Sequence, residues 1–253
     1  MAMPLDGRRE PFNDRRLGLS RSLAEIPSVS LVIPTLNEAA NIVHVLPLVP
    51  DWVSEVVLVD GHSTDNTVET AVALRPDAKI LHAAKRGKGY ALATGFQACT
   101  GDIIVAIDAD GSMDPREIYA YVGQLMSGAD LVKGSRFVQG GGTVDMEVHR
   151  KLGNWGLMKL VNVLFRGRYS DLCYGYFAFW RDTLPVLQPD AHGFEVETLI
   201  NVRALKARIV VAEVPSFEAR RIHGTSNLRA IRDGVRILRT IVRERVNRSE
   251  RRI

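Results

Sequence analysis

The sequence predicts an α/β fold built on a mostly parallel sheet flanked by helices, and three observations predict it. Four short apolar runs rich in β-branched residues, VSLVIP, EVVLVD, AKILHA and IIVAI, recur from Val29 to Ile107, each too short for a helix. A helix-length segment separates each run from the next, the alternation that yields parallel strands with right-handed crossovers. Each of the runs that ends in an acid or a proline is followed by a polar turn, and in a parallel sheet such turns fall on one edge.

Taken in order, residues 1–27 are polar and arginine-rich, with Pro4, Pro11 and Pro27 and no sustained period, so a flexible arm is expected there. A single domain is expected over 28–227, with a nucleotide-binding half at 28–114 and an acceptor half at 115–227. Its first strand, from Val29, leads through the turn Thr35 to Glu38 into a helix reaching about Leu48. The second strand, Glu55 to Asp60, precedes a helix capped by Thr64 or Asp65 and running to about Leu74. A third strand follows over 78–83, then the loop Lys85 to Gly89 and a helix from about Tyr90 to Cys99. The fourth strand is Ile103 to Ile107. Beyond it come a helix over 115–126, a strand within ADLVKGSRF, and a mobile glycine loop over 138–148. A helix over 149–165, the aromatic strand CYGYFAFW, a helix from Phe194 and a last strand in ARIVVAEVP complete the domain. Residues 228–253 form a separate basic amphipathic helix.

The composition is that of a globular protein: 253 residues, 46% apolar and 25% charged, with two cysteines lacking metal-ligand spacing. A reduced, cytoplasmic setting is expected, since no run approaches a membrane span and the N-terminus lacks the apolar core of a signal peptide. The net charge of +4 favours an anionic partner without naming it.

Three strand ends carry chemistry: Pro34, Asn37 and Glu38; Asp60 with Ser63 and Asp65; and Asp108 with Asp110. Two acids with one residue between them can hold a divalent cation together with substrate phosphates. They also fit a turn in which Asp110 and Asp114 cap the next helix, and spacing alone leaves both readings open. Lys85, Arg86 and Lys88 bring cations to the same edge, either for a diphosphate or as a solvated charge run. No Walker loop is present.

Together, PTLNEAANI, VVLVDGHSTDNT, KRGKGYALATGFQACTGDIIVAIDADGSMDP and KGSRF resemble the family 2 inverting glycosyltransferases of GT-A fold. The likeness is greatest to the polyprenol-phosphate (dolichol-phosphate) mannosyltransferase branch. The resemblance implies Asp108-Ala109-Asp110 as a DxD motif holding Mg²⁺ or Mn²⁺. It implies Pro34, Asn37, Glu38 and Asp60 around the nucleoside, Lys88 near the diphosphate, and Glu197 with Asp171 on the site wall. Arg136, Arg150 and Arg221 match arginines that bind the acceptor phosphate, which suits guanidinium geometry. The implied reaction moves a hexose, best matched by mannose from GDP-mannose, to a polyprenyl phosphate; a UDP-hexose donor stays open. An ionised phosphate needs no general base, whereas an alcohol acceptor would, with Asp171 the first candidate.

Four positions depart from the pattern: Gly61 and His62 replace a second acid, Glu195 a glutamine, Asn227 a lysine, and His223 an aromatic, the last being an added metal-ligand candidate. Rival readings are transfer to a soluble alcohol or sugar, a silent nucleotide-sugar sensor or membrane adaptor, and a nucleotidyltransferase. In the terminal helix, Leu228, Ile231, Val235, Leu238 and Val242 form an apolar stripe beside Arg229, Arg232, Arg236, Arg239 and Arg243. That pattern fits packing on the domain, a homodimer, or peripheral contact with anionic membrane at the inner face of the cell membrane. No nucleic-acid recognition motif accompanies it.

Overall fold

The computed structural model describes residues 12–14, 19–21, 26–226 and 228–247. Most of the expected N-terminal arm, and Asn227, lie outside them. Within the arm, β1 (Phe12–Asp14) and β2 (Leu19–Arg21) pair antiparallel. The domain then runs β3 (Val29–Thr35), α1 (Ala39–Val45), β4 (Glu55–Asp60), α2 (Thr67–Leu74), β5 (Lys79–His82), α3 (Lys88–Ala98), β6 (Ile103–Ala106) and α4 (Ile118–Met126). It continues with β7 (Leu131–Ser135), β8 (Gly142–Thr143), α5 (Val148–Phe165), β9 (Phe177–Trp180), α6 (Leu184–Leu187) and α7 (Glu195–Ala207). The last elements are β10 (Val211–Pro215), β11 (Phe217–Glu218) and α8 (Ala230–Val246).

Seven strands form the central sheet in the order β10-β7-β9-β6-β3-β4-β5. Strands β6, β3, β4 and β5 are mutually parallel, and β10 is parallel to β7. Only β9 is reversed, pairing antiparallel with β6 on one side and β7 on the other. The α/β class with a mostly parallel sheet is therefore as expected. The central strands are buried on both faces, and their continuous apolar runs follow from that. One core lies on the side of α1 and α4; a second lies under α3 and α7.

Two findings depart from the sequence reading. Part of the expected glycine loop is ordered as β8, which pairs parallel with β11. Two residues per strand are too few to show a period. In α8, the face that packs on the domain is Asp233, Ile237, Thr240, Ile241 and Glu244, not the apolar stripe. Glu244 is buried because Arg203 (3.2 Å) and Lys206 (2.8 Å) of α7 neutralise it. Helices α5, α7 and α8 share a third apolar cluster, which includes Val161, Val202 and Ile241. Among the described residues, no helix is long and apolar enough to cross a membrane.

Candidate active site

Because β3, β4 and β6 are parallel, their carboxyl ends meet on one edge, and β7, aligned with β6 through β9, ends there too. A cavity of about 540 Å³ opens at that edge, lined among others by Pro34, Glu38, Lys88, Asp108, Asp110, Arg136, Arg150, Glu197 and Arg221. Residues far apart in sequence are thus brought to one place, where open parallel sheets bind ligands.

Its floor is a cluster of acids and cations. Lys88, the first residue of α3, lies 2.6 Å from Asp108 and 2.7 Å from Glu197. Burial works against the ammonium, but these two carboxylates hold its pKa above the usual lysine value. Asp108 is pushed up to about 6, first by burial and then by Asp110 and Glu197, despite Lys88. Gly175 makes room for this cluster, since a Cβ there would lie 2.6 Å from Lys88 Nζ and 2.9 Å from Glu197 Oε1.

Opposite, Arg221 lies over the other acid. Its guanidinium donates to both oxygens of Glu38 at 2.6 Å and to Asp110 Oδ2 at 3.2 Å. The segment carrying it is tied down by Ala219 N to Ser112 O and Ile222 N to Asp110 O. Gly111 is required beneath it: its φ is +79°, and a Cβ would meet Ile222 Cδ1 at 2.5 Å.

Asp108 and Asp110 fit a hard divalent cation. They are oxygen donors at one strand end, and the pKa of Asp108 is raised by its burial and then by the neighbouring charges of Asp110 and Glu197, both of which a bound cation would offset. Among the described residues, no group of three or more His, Cys, Asp or Glu converges on one point, so further ligands would come from substrate phosphates. His223 does not join the aspartates. Its ring lies 5.8 Å from that of His44, and its backbone bonds to Asn41 and Arg221.

Several expected residues act from behind the wall. Asn37, at φ +59°, accepts from Thr64 N at 2.7 Å. Asp60 accepts from Ser63 N at 3.1 Å, so both residues shape turns and neither lines the cavity. Asp65 bonds Ala39 N and Thr67 N, serving the starts of α1 and α2 together. Gly61 has a local reason: a Cβ would press to 3.1 Å on Thr35 O. Glu195 accepts from His192 N and Gly193 N at the start of α7. Asp114 caps the turn before α4 through Arg116 N.

Asp171 is wholly buried. Its oxygens take Arg136 Nε at 2.7 Å, Arg136 Nη2 at 2.9 Å and Asn154 Nδ2 at 3.0 Å. Burial pushes its pKa up, but the hydrogen bonds and charge of Arg136 outweigh that and hold it below the usual range. Arg136 also bonds Glu218 and Cys173 O and stacks 4.7 Å over Tyr174. Asp171 therefore does not face the cavity as a base, and the Arg136 side chain is directed at protein oxygens. Among the described residues, Arg150 makes no ion pair. Glu218, which ties β11 to Arg136, and Arg220, which lines the cavity, were not singled out from the sequence. The doublet Arg220-Arg221 was the available signal for the latter.

A sequence profile described as Glycosyl transferase family 2 matches residues 30–187. An undecaprenyl-phosphate mannosyltransferase of Micrococcus luteus is 33% identical over 79% of this chain and 87% of its own length. A dolichol-phosphate mannosyltransferase of Pyrococcus furiosus is 28% identical over 79% of this chain, which spans 59% of that protein. Glucosyl-3-phosphoglycerate synthase from Mycobacterium tuberculosis, in a crystal structure with Mn²⁺, UDP-glucose and phosphoglyceric acid, superposes with a TM-score of 0.68. It is 26% identical and covers 88% of this chain and 82% of its own.

Proposed function

The chain belongs to glycosyl transferase family 2 and is a glycosyltransferase of GT-A fold, and from that premise we propose that it moves a hexose from a nucleoside diphosphate sugar to a polyprenyl phosphate. GDP-mannose is the donor we favour, by likeness to the two lipid-phosphate mannosyltransferases. The observation that carries the reading is the charge distribution of the cavity. Arg150 and Arg220 line it without ion-pair partners among the described residues, while Asp171, the candidate base for an alcohol, is buried against Arg136. Guanidiniums without ion-pair partners suit an acceptor that is already an anion, and Asp171 is not placed to take a proton from an alcohol.

In this mechanism the acceptor phosphate oxygen attacks the anomeric carbon from the face opposite the leaving diphosphate, inverting its configuration. Pro34 and Glu38, which line the cavity, would contact the nucleoside, and Lys88, held between Asp108 and Glu197, would meet the diphosphate. Asp108 and Asp110 would hold Mg²⁺ or Mn²⁺, whose charge would offset that gathering on the departing diphosphate. Arg150 and Arg220 orient the acceptor, and Arg221 adds to them once freed from Asp110. Arg136 and Asp171 position the wall.

A second reading has support from the synthase crystal structure: a soluble acceptor bearing a phosphate, taken by the same arginines. A mass-spectrometric screen of GDP- and UDP-sugars with Mn²⁺, run with polyprenyl phosphate, phosphoglyceric acid or neither, separates the two. A lipid-linked hexose formed from one donor is expected, and product with the soluble acid alone would overturn the lipid reading. Asp110→Ala should lower transfer by about a thousandfold or more with an unchanged circular dichroism spectrum; undiminished turnover would remove the cation assignment.

A further inference from the structure

Helix α8 has two unlike faces. Asp233, Ile237, Thr240, Ile241 and Glu244 are buried against the domain. Ile231, Val235, Leu238, Val242 and Val246 recur at steps of four and three, which sets them on the opposite side. All five are exposed, Ile231 by 86% and Val246 by 73%. On α5, packed beside α8, Val148, Leu152, Trp155 and Val163 form a second outward row, with Trp155 59% exposed. Rows of exposed apolar side chains on neighbouring helices mark an interaction site.

The charges beside the stripe identify the partner. Arg232, Arg239 and Arg243 lie along one flank of it and Arg245 along the other, all exposed. The two acids of α8, Asp233 and Glu244, both point inward. The outward side of α8 is thus apolar and cationic, without a carboxylate. A second copy docked symmetrically would set arginine against arginine, whereas an anionic lipid surface meets both features at once. The face also begins at the catalytic cavity, because Arg150 of α5 and Leu228, just ahead of α8, line it.

We propose that the outward face of α8, with the row on α5, docks on anionic membrane and brings the cavity mouth to the lipid headgroup layer. The apolar side chains enter the interface while the arginines pair with lipid phosphates. This deepens the proposed function and rests on it only for the acceptor, whose phosphate would reach Arg150 while its chain stays in the bilayer.

The test is co-sedimentation of the full chain with phosphatidylglycerol vesicles or phosphatidylcholine vesicles, without donor. Binding to the former that weakens as salt rises is expected. Arg239→Glu and Arg243→Glu should each weaken it about fivefold or more, and Leu238→Glu about tenfold, while turnover on a short-chain, water-soluble acceptor phosphate stays at the wild-type level for Leu238→Glu. Failure to bind phosphatidylglycerol vesicles, or equal binding by Leu238→Glu, would overturn the inference. So would a wild-type dimer in sedimentation velocity that Leu238→Glu dissociates, since a second copy would then own the face. Vesicle binding without transfer to polyprenyl phosphate would sink the acceptor assignment and leave the docking face standing.

Discussion

The Arg136 side chain makes five hydrogen bonds to protein oxygens: three satisfy Asp171 and Cys173 O, and two from Nη1 reach the paired oxygens of Glu218. Removing it would leave Asp171 buried and uncompensated, which costs about 3–5 kcal/mol. Arg136→Ala should therefore lower the urea midpoint sharply, and Arg136→Lys should recover little, because a lysine cannot supply the planar fork. The pH dependence has a definite sign. The folded-state pKa of Asp171 is depressed, so its contribution is complete above the unfolded value and disappears as pH falls through the folded one. The gap between wild type and Arg136→Ala should thus be full near neutrality and close in acid; a gap independent of pH would show that Asp171 is not the cause. Arg136 stood out in the sequence because GSR ends a strand. Its partners lie 35 and 82 residues away, and no local pattern marks which carboxylates will find a given guanidinium. Asp108 and Asp110 were legible for the converse reason, since a strand end carries both.

The strands that carry the site were readable as elements, because β3, β4 and β6 are buried on both faces and appear as unbroken apolar runs. The direction of β9 was not, since FAFW reads the same whichever way the strand runs. Nor did the outward stripe of α8 reveal which side would pack; Ile237 and Ile241, interleaved with buried polar residues, decide that. Helix α3 shows how closely an element can be fitted. A Cβ on Gly95 would lie 2.5 Å from Val32 Cγ1 and 3.0 Å from Val59 Cγ2. Overpacking costs about 1–3 kcal/mol, more than the roughly 0.5–1 kcal/mol that alanine gains over glycine within a helix. Gly95→Ala is expected to destabilise. Gly123→Ala in α4, where nothing lies within 4 Å, is expected to stabilise. Equilibrium unfolding of the pair checks the opposite signs, and two stabilising results would mean that α3 is not held against the sheet at this distance.

Residues 28–114 and 115–227 are joined through β9, which bonds β6 of the first stretch and β7 of the second. Their largest core mixes residues of both, from Val29 and Leu58 to Tyr176 and Val214. A fragment of residues 28–114 would leave the outer edge of β6 and one side of that core bare, and it should not fold alone. A well-dispersed amide NMR spectrum from that fragment would refute this.

The chain also aims its helices. Lys88 opens α3, Phe194 caps α7, and Arg150 and Leu228 stand at the starts of α5 and α8, all on the cavity wall. The far ends of α5, α7 and α8 gather instead around a hollow bearing Arg166, Arg208 and Arg245. Aligned peptide dipoles give each helix a partial positive charge at its start and a partial negative one at its end, with a charge at either end stabilised by about 0.3–1 kcal/mol. The backbone itself therefore adds partial positive charge at the cavity wall and partial negative charge beside those arginines, a contribution that exchanging side chains on the wall leaves in place.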